Sequence, residues 1–216
     1  MIGGKSELLL CLLMLIFPIQ EIGFSSWMPT YSIKSGIADT QTSGIYSLYF
    51  WLPNTISRIV WTFFIPWSIT KRLKVITTIL ALLSFLLVVF QYMEQYTLVC
   101  TIGPLAFGSM VGCYFGFCLS LPLDNGFFTN TNNNANFMIA YCIGEGILLG
   151  PVGYLMNIFS FRALMFMVLI CCMMSAWTFN KTLVSMADDK CKEGDEGILQ
   201  EYLAKWSMSV HLLFIE

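Results

Sequence analysis

Six apolar runs, each close to the roughly 20 residues that a helix needs to cross a hydrocarbon core, take up most of this chain. They lie at about 8–31, 43–69, 73–90, 97–123, 135–158 and 162–180. Short polar breaks separate them, among them residues 33–43 with Gly36 and Asp39, Gln91–Gln95, and the asparagine-rich stretch Asn125–Asn136, expected to be a flexible cytosolic connection. No ten-residue alternating pattern of the barrel kind recurs, which argues against strands. Composition agrees: 57% of the residues are hydrophobic and 11% charged, against about 45–50% and 25% in a soluble domain. That excludes a soluble enzyme, a nucleic-acid binder and a disordered chain. The expected class is an all-α integral membrane protein in the lipid bilayer.

No cofactor or metal is expected. His211 is the single histidine, and the net charge of −2 offers no basic footprint for phosphate. Seven of the eight cysteines lie inside apolar runs, and no pair has the spacing of a disulfide framework or zinc site. They read as small packing residues. An intramembrane enzyme is the weakest reading, because no span carries a histidine, an HExxH motif or a facing aspartate pair.

The basic residues orient the spans. With the N-terminus in the cytosol, the inside holds Lys5, Lys71, Arg72, Lys74, Lys181, Lys190, Lys192 and Lys205; the outside holds Lys34 and Arg162. Eight against two is a positive-inside bias, and it puts both termini in the cytosol. Lys5 followed by Leu8–Ile19 also reads as a signal peptide, though apolar character resumes past Glu21.

The runs differ in kind. All seven prolines fall in or beside runs one, two, four and five, whereas runs three and six contain neither glycine nor proline. Uniformly apolar helices are cheap to leave against lipid, while broken ones need protein or a water-lined cavity to satisfy freed backbone groups. Every third helix therefore reads as peripheral. The six spans form a 3+3 repeat, a signature of secondary transporters.

Three ionisable residues lie at membrane depth: Glu21, Arg58 and Glu145. Each costs about 2.5–3.5 kcal/mol on insertion scales if left unpaired, so each is a candidate for function. Arg58 shares a helical face with Trp51 and Asn54; Glu145 follows Tyr141 by one turn, and Glu21 precedes Ser25 by one turn. Gly23, Trp27 and Tyr31 form a second stripe on the first run. Gly108, Gly112 and Gly116 make a GxxxGxxxG row on the fourth run, and Gly146 and Gly150 repeat the spacing on the fifth. Such rows let helix backbones approach closely.

The stretch Glu21-Ile-Gly23-Phe-Ser-Ser-Trp27-Met-Pro-Thr-Tyr31 resembles the seventh helix of major facilitator transporters, in the fucose permease and sodium-dependent glucose transporter-like branch. Phe50-Trp51, Ser57-Arg58 and Lys71-Arg72-Leu73 are similar to that branch's eighth helix and its basic cytosolic turn, although Ser57 stands where the family usually has glycine. Gly144-Glu145 through Gly153 resembles its eleventh helix. The resemblance covers residues 7 to about 180. It implies that the runs correspond to helices seven to twelve, with seven and ten lining a solute path, eight and eleven flanking the other half, and nine and twelve facing lipid.

On that resemblance the chain is expected to form residues 1–180 of a half-transporter that moves a small polar solute, a sugar among the candidates, by alternating access. Glu21, Trp27 and Tyr31 would meet solute; Asn54, Arg58 and Glu145 would act between helices or in coupling. A second six-helix half or a homodimer would complete the path. The alternative is a non-transporting membrane protein, a truncated product or a subunit associating through its glycine faces. Residues 181–216 are expected as a cytosolic tail, disordered from Met186 to Gly197. Beyond it Leu199, Leu203, Trp206, Val210 and Leu213 make an amphipathic stripe.

Overall fold

A computed structural model describes residues 4–127 and 131–192, and among them every regular element is helical. The helices make six rods. The first joins α1 (Gly4–Pro18) to α2 (Phe24–Lys34) through a π-helical turn at Ile19–Gly23; the second joins α3 (Ile45–Ile59) to a π-helical turn at Val60–Phe64. The third is α4 (Ile69–Tyr92), and the fourth is α5 (Tyr96–Val111) followed by α6 (Tyr114–Asp124). The fifth is α7 (Thr131–Ile158) and the sixth α8 (Ala163–Lys192).

Five of these rods are long and apolar enough to cross a membrane, so the chain is a multi-pass, all-helical membrane protein. The second rod falls outside that set. Asn54, Arg58 and Pro53 dilute its apolar character, and its helix ends at Phe64, five residues before the expected limit of 69. Pro66 accounts for the early stop, since the residue before a proline is pushed out of the helical region, and Ile65 is extended.

Other boundaries follow from local chemistry. The Ser68 hydroxyl accepts from the Lys71 amide and caps the third rod. Gly36 and Gly126 adopt positive φ just beyond the first and fourth rods. There they close matching terminal turns, in which the amides of Ile37 and Phe127 return to the carbonyls of Ser32 and Pro122. The sixth rod continues well past residue 180, where a tail was expected. Thr182, Ser185 and Met186 are buried on it, and the Ser6 hydroxyl donates to Asp189 while accepting from Ser185. The fifth rod likewise begins at Thr131, inside the expected asparagine-rich loop. The stripe at 199–213 lies outside the described residues.

The first rod is the axis of the bundle and touches the second, fourth, fifth and sixth rods. The second rod packs on the fourth, the fourth on the third, the third on the sixth, and the sixth on the fifth. Of the most apolar stretch of the first rod 67% is buried, against 25% for the fifth. The third and sixth rods, expected to be the most peripheral, are 39% and 44% buried over theirs.

Those two rods are amphipathic in the sense suited to lipid. On the sixth, Ser175, Thr178, Thr182 and Ser185 face inward while Ile170, Met173, Met174 and Trp177 face out. On the third, Thr77, Ser84 and Gln91 are buried while Leu82, Phe85 and Leu86 are exposed. In hydrocarbon the polar groups find partners only inside the bundle, which reverses the soluble pattern.

Candidate functional site

Glu21 sits within the π-helical turn of the first rod, just after Pro18, whose ring and missing N–H interrupt the regular backbone ladder. Single π turns inside α-helices often coincide with functional positions. The carboxylate is 5% exposed. Its Oε1 accepts from Asn54 Nδ2 at 3.4 Å and lies 3.3 Å from Arg58 Nη2, both on the second rod. The Tyr141 hydroxyl of the fifth rod also faces it. Ser25, one turn on, donates instead to the Ile22 carbonyl.

The arrangement has unused capacity. Asn54 is 1% exposed, and its Oδ1 has no hydrogen-bond partner among the described residues. The Arg58 side chain is 57% exposed, so much of its donor fork points away from Glu21. Of these groups the Arg58 guanidinium is the accessible one, while the Glu21 carboxylate and the Asn54 amide oxygen are enclosed between the rods.

Tyr31, expected along a solute path, is fully buried. Its hydroxyl donates to Gln91 Oε1 at 3.0 Å, Gln91 Nε2 donates to the Arg162 carbonyl at 3.2 Å, and its ring meets Phe161 edge-on. Arg162 reaches Tyr96, and Glu94 at 3.8 Å. These contacts tie the first, third and fourth rods to the connection between the fifth and sixth, at the end remote from Lys71, and they leave Tyr31 no face toward a cavity. Trp27 is half-buried against Gly153, where an added Cβ would collide with its ring. Glu145 is exposed on the fifth rod, one turn beyond Tyr141.

The glycines divide into two groups. A Cβ at Gly108 would strike the Phe50 carbonyl oxygen, and one at Gly112 would strike the Asn54 carbonyl oxygen and the Ser57 hydroxyl. These two residues seat the fourth rod on the second along the buried stripe Phe50, Asn54, Ser57 and Trp61, where Cys113 Sγ also approaches the Ser57 carbonyl. Gly116, Gly146 and Gly150 meet open space instead. Gly144, noted in the sequence only for the family resemblance, is the glycine that brings the fifth rod onto the Leu15 carbonyl of the first.

Uncharged polar residues at depth were passed over by a survey of charges. Gln20, 1% exposed, donates to the Cys171 carbonyl and to Ser175. The signal was available: a glutamine in an apolar run costs several kcal/mol to bury unless paired, less than a charge but enough to demand a partner. No family model, characterised protein or solved structure matches the chain.

Proposed function

We propose that the chain is one six-helix half of an alternating-access transporter of the major facilitator kind, carrying a small polar, hydroxyl-bearing solute. The observation that carries this reading is the pattern of rod contacts. Exchanging the first rod with the fourth, the second with the fifth and the third with the sixth turns the first–fifth contact into the fourth–second one. It also turns the first–sixth contact into the fourth–third one, and it leaves the third–sixth and first–fourth contacts unchanged. Two triplets built alike would produce that pattern, as internal repeats do in secondary transporters. The first–second and fifth–sixth contacts have no counterpart of comparable extent.

The chemistry supports the same reading. A carboxylate, an amide and a guanidinium converge beside the π-helical turn of the most buried rod, with Arg58 open to one side. Polar groups of this sort inside a membrane mark solute or ion routes by default. In this reading six helices supply one wall of the path, and both termini are cytosolic.

The test is uptake into liposomes. Purified protein is expected to show saturable, solute-selective uptake only when two six-helix units are assembled, and Glu21→Gln is expected to abolish it. Selective uptake by a demonstrated single copy would overturn the half-transporter account. Absence of uptake in any assembly would favour the non-transporting subunit.

A further inference from the structure

The second and fifth rods flank the first at the level of Glu21, and each exposes a charge of opposite sign. Arg58 approaches Glu21 from one side and Tyr141 from the other, and Glu145 stands one turn beyond Tyr141. The basic and acidic groups are therefore at nearly the same depth, on two rods that both pack against the first. Around them the second rod exposes Trp51, Thr55 and Ile56, and the fifth exposes Ile143, Gly146, Ile147 and Gly150. Lipid gives neither charge a partner and gains nothing from open glycines.

A two-fold axis along the membrane normal preserves depth and makes a surface meet itself. Under that operation the second rod of one protomer faces the fifth rod of the other, so the two charges at matching depth pair twice. We infer that this face is covered by a second copy of the chain in a parallel two-fold dimer, with Arg58 of each protomer against Glu145 of the partner subunit. The open Cβ positions at Gly146 and Gly150 give the facing helix room to approach. The row on the fourth rod cannot serve, because Gly108 and Gly112 are already spent on the second rod. The inference rests on the reading of the chain as a six-helix half, and it names the other half.

Native chain in lipid nanodiscs is expected to count as two copies by single-molecule photobleaching; single copies, or one copy with an unlike membrane protein, would overturn the inference. Thr62→Cys is an exposed, mild change on the second rod, one turn beyond Arg58 and so at the depth of Cys142. With the native exposed Cys142 of the fifth rod it should give an oxidation-dependent band of twice the mass. Phe85→Cys on the third rod should give none, and equal bands from both variants would refute the arrangement. Glu145→Lys should weaken dimerisation about tenfold, as expected for losing two interhelical polar contacts, and unchanged dimerisation would count against the pairing. Dimers that transport nothing would sink the transporter reading alone, whereas uptake by a lone copy would sink both.

Discussion

The third and sixth rods and the second and fifth rods solve the bilayer in opposite ways. The third and sixth turn Thr77, Ser84, Ser175 and Thr178 inward and show hydrocarbon with Leu82, Phe85, Ile170 and Met173. The second and fifth leave Arg58, Glu145 and two open glycines outside, although they lie just as deep. Exposure alone therefore does not identify a lipid-facing helix. The fifth rod is the less buried of these two kinds, yet its surface chemistry is the less suited to lipid.

The sharpest way to break this contrast is to place a charge on the lipid side. Met173→Arg is expected to lower insertion of the sixth rod by about 2.5–3.5 kcal/mol, read from a translocon insertion assay. No change would mean that this stripe is covered by protein. Next in size are the glycine seats. Gly112→Ala and Gly144→Ala should each cost about 1–3 kcal/mol through backbone clash, measured by thermal unfolding in detergent. Gly146→Ala should stay within about 0.5 kcal/mol in the monomeric unit. Equal losses at all three would erase the division between spent and open glycines.

Arg58→Met offers a third comparison. If the second rod faced lipid, removing the charge would stabilise the fold. With Glu21 depending on it, a loss of about 1–2 kcal/mol is expected instead, the half-exposed guanidinium keeping the effect below that of a fully buried pair. A smaller loss belongs to Tyr31→Phe, which removes one interhelical hydrogen bond and should cost about 0.6 kcal/mol. A loss of uptake far beyond that stability change would return Tyr31 to the solute path.

Much of the fold was legible because hydrocarbon is a strict solvent: long apolar runs can be little but helices, and the break with Gly36 marked one helix end. The second rod misled because its length suggested a span, while Pro53, Asn54, Arg58 and Pro66 made it shorter and more polar than its neighbours. Glu21 and Arg58 could be picked out by the cost of burying them, and Asn54 by the helical face it shares with Arg58. Their meeting on one carboxylate oxygen could not, because it depends on how the first and second rods cross. Tyr31 failed as a path residue for a similar reason. Its partner Gln91 sits 60 residues away, and no local spacing announces a hydrogen bond of that reach.

The seating of the fourth rod on the second also has a consequence for biosynthesis. Arg58 can reach Glu21, 37 residues earlier, as soon as it emerges, but the stripe around Ser57 waits a further 56 residues for Cys113 and its flanking glycines. At about 5–20 residues per second that interval is roughly three to eleven seconds of translation. During it the second rod holds Asn54 and Ser57 uncovered beside the nascent first rod. The ion pair to Glu21 is then the contact that can keep so polar a segment from slipping back out of the bilayer. A ribosome stalled when the second rod has cleared the exit tunnel and the fourth has not should thus retain the second rod in the membrane with Arg58 present and release it when Arg58 is neutralised, a difference that disappears once the fourth rod has emerged.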